Sequence, residues 1–490
     1  MEAELVTEKI AGSALPKGWK SVRLDEVCTK IQDGSHFSPK EQFSEPAKGR
    51  FMYITSKNIR NSYMDLDDLV YVNEDYFNSI YPRCKPELND VLLTKDGANT
   101  GNVTLNTIDE PYALLSSVCL MKPERSKLEP AYLMYYIQSP DGFKQLIGKM
   151  TGTAIKRIIL EKIRVAPIPL APLPEQRRIV QAIETQLGRL DAAVARLQAA
   201  KAQLKRYKQA VLKAAVEGRL TEEWREKNAK KLQNPEEILE SLRQAREKAF
   251  KKIQKEERVD GERQVRKPKE LEALTDDELS ELPELPEGWA WTRVGNAVND
   301  VFDGPFGSHL KSVDYIDAGV RVIRLENVVF LGFREDLKSY VSQEKYETIR
   351  NHTVRAGDII FSSFINEQTR VAILPDHIDL AINKSDCFCV RIDNVPVDRN
   401  YLHYFLSSDL AYQQLVHQIH GATRPRINTT QLKQCPMPIC SLAEQQEIAR
   451  LVREMLEAAD ETETTLNAQL EQSTRLRQAV LKRAFEGRLV

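Results

Sequence analysis

The chain repeats itself. Leu15-Pro16-Lys17-Gly18-Trp19 returns as Leu285-Pro286-Glu287-Gly288-Trp289, a shift of 270 residues from Gly18 to Gly288. Gln209-Ala210-Val211-Leu212-Lys213 and Glu217-Gly218-Arg219-Leu220 return as Gln478-Ala479-Val480-Leu481-Lys482 and Glu486-Gly487-Arg488-Leu489, a shift of 269 from Gly218 to Gly487. A period this long marks a duplicated domain, since solenoid repeats run to about 20–50 residues. Whatever one half folds into, the other must also form. The expected product is a pseudo-two-fold object suited to a partner with two related sites, and a DNA duplex carrying two half-sites is the obvious candidate.

Within each half a strand-rich globular part precedes a long helix. The segments read as 1–174, a first globular domain; 175–220, a first long helix; 221–284, a charged helical linker; 285–443, a second globular domain; and 444–490, a second long helix. Runs such as Asp90-Val91-Leu92-Leu93-Thr94 and Asp358-Ile359-Ile360-Phe361-Ser362 have strand character. Each globular part also holds a helical stretch, Pro130 to Ile147 and Arg399 to Ile419. There Tyr132, Leu133, Tyr135 and Leu146 align with Tyr401, Leu402, Tyr404 and Leu415 as a core face.

Pro174-Glu175-Gln176 opens the first long helix with residues that a helix start favours. Ile183, Leu187, Leu190, Val194, Leu197, Leu204 and Val211 then recur at spacings of three and four, or sums of them, and Val452, Leu456, Ala459, Leu466, Leu470 and Val480 answer in the second. This is an a/d seam. It is interrupted by Lys201 and Lys208 in one helix and by Glu463, Ser473 and Arg477 in the other, which suits pairing within the chain better than a homodimeric zipper. Each helix, at about 45 residues, would be roughly 65 Å long. An antiparallel pair would hold the globular parts apart. The fold class expected is α+β: two similar mixed α/β domains separated by two long helices forming an antiparallel coiled coil. The linker, about half charged in mixed sign, reads as a solvated helical segment rather than a binding surface.

Composition excludes more than it identifies. A chain of 490 residues predicts two to four domains, and a net charge of −1 does not announce nucleic acid, so local charge must carry any such claim. The start of the chain has no signal-peptide pattern, and no stretch is apolar enough to predict a membrane span. The cysteines, Cys28, Cys84, Cys119, Cys387, Cys389, Cys435 and Cys440, form no C-x-x-C pair, which leaves reduced thiols in a cytoplasmic protein as the expectation. There is no P-loop, no G-x-G-x-x-G after a strand, no H-E-x-x-H, and no Asn-Pro-Pro-Tyr or Asp-Pro-Pro-Tyr. No catalytic residue and no metal ligand is nominated. A chain this long without such a constellation recognises or scaffolds.

Candidate recognition residues come in matched segments. Thr151-Gly152-Thr153-Ala154-Ile155-Lys156-Arg157-Ile158 aligns with His420-Gly421-Ala422-Thr423-Arg424-Pro425-Arg426-Ile427, followed by Asn428. Each has a glycine, a hydroxyl and two cations: glycine lets a backbone approach closely, hydroxyls reach phosphate oxygens, and arginine forks onto guanine. Lys149, Lys162 and Arg164 extend the first basic stretch. Asp33-Gly34-Ser35-His36 matches Asp303 to Ser308, where a tight turn needing glycine is the competing reading. Lys57-Asn58-Ile59 aligns with Glu326-Asn327-Val328, beside Arg324. The polar loop Lys95 to Gly101, with Asn99 and Thr100, stands against Ser363 to Arg370. The flanks repeat closely and the interiors loosely, which suits one frame around two different readers.

The Leu-Pro-x-Gly-Trp frame, the Pro-Glu-Gln helix start and the two Gln-Ala-Val-Leu-Lys…Glu-Gly-Arg-Leu helix ends resemble the specificity subunits of Type I restriction-modification systems. The resemblance covers nearly the whole chain. It implies a non-catalytic subunit in which two target recognition domains each read half of a split, asymmetric DNA sequence, while the paired helices set the gap. It implies two modification subunits as partners, carrying S-adenosylmethionine for adenine methylation. Two restriction subunits with ATP and magnesium join where the system has them. No cofactor is implied on this chain and no membrane is involved. The second helix departs by starting Leu442-Ala443-Glu444-Gln445, without proline. A rival expectation is a duplicated coiled-coil scaffold that joins proteins without reading DNA.

Overall fold

A computed structural model describes residues 9–10, 13–146, 148, 157–260, 269–419 and 425–490. The chain divides into two compact units, one comprising Met1–Ala199 with Leu466–Val490 and the other Ala200–Thr465. Each unit therefore combines a globular part with the start of one long helix and the end of the other.

The first unit is built on an antiparallel four-stranded sheet in the order Val103–Leu105, Val91–Thr94, Val118–Pro123, Cys28–Asp33. Its central strands are apolar on both faces because both faces are covered. Val91 and Leu93 pack against the helix Pro130–Gln138 through Tyr132, Leu133 and Tyr136. Leu92 and Leu120 face the other way, onto Ile54, Tyr112 and Leu114. Those residues belong to a smaller sheet region in which Arg50–Ile54 lies between Ala113–Leu114, parallel, and Val70–Asn73, antiparallel. A strand pair, Lys20–Arg23 with Pro167–Leu170, closes the globular part.

The second unit repeats this order: Val371–Ile373, Ile359–Ser362, Cys387–Arg391, Asp300–Asp303. The alternation repeats too, with Ile359 and Phe361 in one core and Ile360 in another. Ala290–Arg293 pairs with Pro436–Ile439. The smaller sheet differs, since Tyr315–Ile316 and Thr353–Val354 are added at its edges to make five strands. The duplication is thus tightest in the frame and loosest inside it.

Each helical stretch expected from the sequence is two helices. Pro130–Gln138 is followed by Pro140–Leu146, and Arg399–Leu406 by Asp409–Val416; Ile147 lies outside the described residues. Pro140 lacks the N–H that would continue the first helix and holds Ser139 extended. In the second unit a serine does this work, with Ser408 Oγ accepting from Ala411 N (3.3 Å) to start a new helix.

The linker is not simply solvated. The helix Pro235–Asp260 buries Ile238, Leu242, Arg246 and Ala249, a stripe at spacings of four, four and three, against the second globular part. Arg246 Nε donates to Val298 O (3.0 Å). Asn296 and Leu271 exchange hydrogen bonds (2.9 and 3.0 Å), and Arg293 binds the Glu278 carboxylate with both oxygens (2.8 and 3.0 Å). The mixed charges that made this segment read as solvated occupy the outer face of an amphipathic helix.

The long helices, Leu173–Val216 and Leu442–Phe485, pair antiparallel within each unit. In the first, Ile179, Ile183 and Leu187 share a core with Leu481, Ala484 and Phe485, and Arg477 is ion-paired with Asp191. In the second, Val211, Leu212 and Ala215 share a core with Ile448, Val452 and Leu456. There Lys208 Nζ bridges Asp460 (2.6 Å) and Glu463 (2.7 Å), so polar seam residues find opposite charges across the pair. Both helices stop at a left-handed glycine, Gly218 (φ +70°) and Gly487 (φ +69°). A Cβ on Gly218 would lie 2.6 Å from Pro286, and one on Gly487 2.6 Å from Pro16. The two repeated motifs therefore meet: each Leu-Pro-x-Gly-Trp seats on a Glu-Gly-Arg-Leu helix end. Among the described residues no helix is long and apolar enough to cross a membrane.

Candidate nucleic-acid interface

In the first unit, the loops at one edge of the four-stranded sheet converge on Asp33, the last residue of its strand. Gly34 follows because a Cβ there would lie 2.1 Å from Leu114 O, and Gly304 repeats the constraint against Asn383 O at 2.0 Å. Close approach of two strands explains these glycines without any ligand.

Asp33 is buried among basic side chains. Arg83 donates to it (2.7 Å), and His36 Nε2 (3.0 Å) and Lys95 Nζ (3.5 Å) lie on its other oxygen. Burial alone would raise its pKa, but Arg83, Lys95 and His36 outweigh burial and hold the carboxyl below its usual value. Lys95 also binds Asp96 (2.7 Å), and Asp96 holds Arg157 Nε (3.0 Å). The neighbouring loops are tied in. Asn99 Nδ2 donates to Ser56 O (3.2 Å), beside the exposed Lys57, while Thr100 Oγ1 closes its own turn on Gly97 O (2.6 Å). Buried Ser35 bonds the backbone of Phe37. The fold thus brings together Ser35, His36, Lys57, Lys95, Asn99, Thr100 and Arg157.

The second unit places Arg426 where the first has Arg157, and both make the same isolated strand bridge, to Phe364 and Asp96 respectively. The neighbour differs in kind. Arg426 lies over the Phe364 ring (4.2 Å) and reaches Asp386 (3.6 Å). Arg370 bonds Ser362 Oγ (3.1 Å) on the same loop. Arg324 pairs with Glu326 (3.3 Å) and, with Lys384, flanks Tyr315. Ser308 is exposed on the loop after Gly304. The same backbone edge therefore carries two different sets of side chains.

Some expected contacts are taken up by the fold. Lys95 is only 2% exposed, with its charge neutralised by Asp33 and Asp96, so it supports the edge rather than reaching phosphate. Asn58 and Asn327 are buried and build the same turn twice. Asn58 Oδ1 accepts from Thr55 N (2.9 Å) and its amide donates to Asp65 O, while Asn327 does the same with Arg324 N (2.9 Å) and Arg334 O. Asn428 caps the helix Thr429–Gln434, accepting from Gln431 N (2.9 Å). Thr151, Thr153, Lys156, Thr423 and Arg424 lie outside the described residues.

Sequence reasoning missed Arg83 and Lys384, because each reaches the edge from a segment without a repeated motif; Asp96 and Phe364 lie in the matched polar loops, where nothing in the sequence singles them out. It quoted Gln176 and Gln445 only as helix starts. Both are buried and fasten a long helix to its globular part: Gln176 through Glu129 N and Lys127 O, Gln445 through Asp398 N and Pro396 O.

A family model described as the Type I restriction modification DNA specificity domain matches residues 16–205 and 326–472, well over half of the chain. The chain belongs to that family. Its function is accordingly DNA sequence specificity, and the scaffold alternative is not favoured. The specificity subunit of the Type I restriction enzyme EcoBI from Escherichia coli is 25% identical over 99% of this chain and 90% of its own length. The MjaVIII specificity subunit from Methanocaldococcus jannaschii is 21% identical over 98% and 95%. A solved chain from a study of complex assembly and conformational transition in the type I R-M system shares the fold. Its TM-score is 0.66 at 18% identity, covering 97% of this chain and all of that one.

Proposed function

We propose that this specificity subunit reads a bipartite, asymmetric DNA target, one half-site through the globular part of each unit. The observation that carries the reading is the edge built twice on one backbone frame, with Arg157 against Asp96 alone in one copy and Arg426 against the Phe364 ring as well as Asp386 in the other. A common frame fits two similar grooves, while unlike side chains read unlike bases. His36, Lys57, Asn99, Thr100, Arg157, Ser308, Arg324, Arg370 and Arg426 are the described residues proposed to face DNA, while buried Ser35 holds the backbone of Phe37 behind them. Thr151, Thr153, Lys156, Thr423 and Arg424 extend the proposal in sequence.

Chemistry belongs to the partners in this reading. Two modification subunits would bind S-adenosylmethionine and methylate adenine, and restriction subunits, where present, would bring ATP and magnesium, all in the cytoplasm of a prokaryote. The half-buried middle of the helical seam, at Leu190, Val194, Leu197 and Leu204, gives such partners apolar surface. The test is genome-wide mapping of methylated adenine in a host expressing this chain with its neighbouring methyltransferase. One split, asymmetric motif that vanishes on deleting this gene is the expected result. An active methyltransferase with no motif dependent on this chain would overturn the reading.

A further inference from the structure

Each unit exposes an aromatic ring just beyond the Asp-Gly turn of its cationic edge. Phe37 is 80% exposed and Phe306 64%. Other aromatics near Phe37 are covered: Phe51 stacks on Phe77 at 3.8 Å, and Phe43 lies under the Arg50 guanidinium. Phe37 is bare although its backbone is fixed on both sides. Its N–H donates to Ser35 Oγ (3.1 Å), and its carbonyl accepts from Tyr76 Oη (2.5 Å). The Phe306 carbonyl accepts from His309 N (2.8 Å) and Leu310 N (3.2 Å), and Leu310 is buried beneath the loop. An exposed lysine flanks each ring, Lys40 in one loop and Lys311 in the other, with the exposed imidazoles of His36 and His309 beside them. An apolar protein surface would find those charges unfavourable to bury; a polyanion with stacked bases would not.

We propose that Phe37 and Phe306 are wedges that enter the DNA base stack, one in each half-site. The inference rests on the reading of DNA by these edges. Apolar side chains inserted at a base step partly unstack it and kink the duplex. A base that is to be modified must leave the stack in any case, so a wedge held in place beforehand lowers the cost of extrusion by the partner. A ring on a fixed backbone has little freedom to lose on insertion, which is what the bonds to Phe37 and Phe306 provide.

The test uses the complex of this chain with its modification subunit and duplexes carrying 2-aminopurine at successive positions of each half-site. One position per half-site should brighten on binding. Phe37→Ala should remove that signal in the first half-site alone and weaken specific binding roughly tenfold. Phe37→Leu should keep both, and Phe306→Ala should act on the other half-site. Full signal and affinity with Phe37→Ala, while the wild-type complex still discriminates target from scrambled duplex, would overturn the wedge alone. Failure of the wild-type complex to discriminate would overturn the reading beneath it. Loss of modification subunit from the Phe37→Ala complex, with the DNA signal unchanged, would make the ring a protein contact and also overturn the wedge.

Discussion

Arg157 and Arg426 occupy one backbone position in two settings, and their settings decide what each presents. Asp96 orients Arg157 by charge, whereas Arg426 lies on the Phe364 ring and meets its acid, Asp386, at a longer distance (3.6 Å against 3.0 Å). Arg157→Ala should weaken discrimination at the first half-site by about 1–3 kcal/mol and Arg426→Ala at the second, each leaving the other intact. Competition binding with duplexes scrambled in one half at a time measures this, and equal loss at both halves would sink the two-reader model. Asp33 acts one step back. Asp33→Asn should leave Lys95 buried with one counter-charge and cost the first unit about 3 kcal/mol in urea unfolding. Because its folded pKa is lowered, the stabilisation from Asp33 is complete above the ordinary carboxylate range and is lost as acidification passes through the folded value. The variant should therefore be less acid-sensitive than the wild type below about pH 4. Residue types at the edge were legible in the sequence where they recur, as with Arg157 and Arg426. Burial was not: a lysine in a polar loop, Lys95, and a matched asparagine, Asn58, look the same on paper whether they face solvent or close a turn.

At the scale of elements, the long helices and the frame were the most legible, because an a/d seam and a glycine stop are local patterns with one structural meaning. The linker was the least, since its buried stripe at Ile238, Leu242, Arg246 and Ala249 is thin and is outnumbered by charge. The helix pairs behind the sheets show what the duplication leaves free. Met134 in the first unit is replaced by His403 in the second, and both are buried. His403 Nε2 faces Val371 O (3.1 Å), and burial holds its pKa down at about 4 from the usual 6.5, so the imidazole is neutral in the fold. The unfolded chain takes up the proton first, so stability is intact above about pH 6.5 and falls as the pH drops toward 4. Between pH 7 and 5 this group should cost the second unit on the order of 2 kcal/mol. His403→Met should abolish that slope in urea unfolding at the two pH values, while an unchanged slope would place the acid sensitivity elsewhere.

At the scale of the whole chain, sequence order and structural unit do not coincide. The end of the first long helix, from Val211 to Val216, is core to the second globular part, and the end of the second, at Leu481, Ala484 and Phe485, is core to the first. The Phe485 ring meets Tyr132 and Tyr136 edge-on at 5.0 and 5.2 Å, and Gly487 abuts Pro16. The first globular part thus depends on the last residues of the chain. Removing residues 478–490 should strip Leu481, Ala484 and Phe485 from that core, a loss of several kcal/mol, given about 2–5 kcal/mol for each large side chain deleted from a core. Hydrogen exchange should then rise across 13–146, hundreds of residues from the cut, and stay low across 290–419. In DNA binding with the modification subunit, discrimination should fail at the half-site read by the first globular part, nearest the opposite end of the sequence. Deprotection confined to the second globular part would show that the end of the chain does not complete the first unit as the Phe485 and Gly487 contacts indicate.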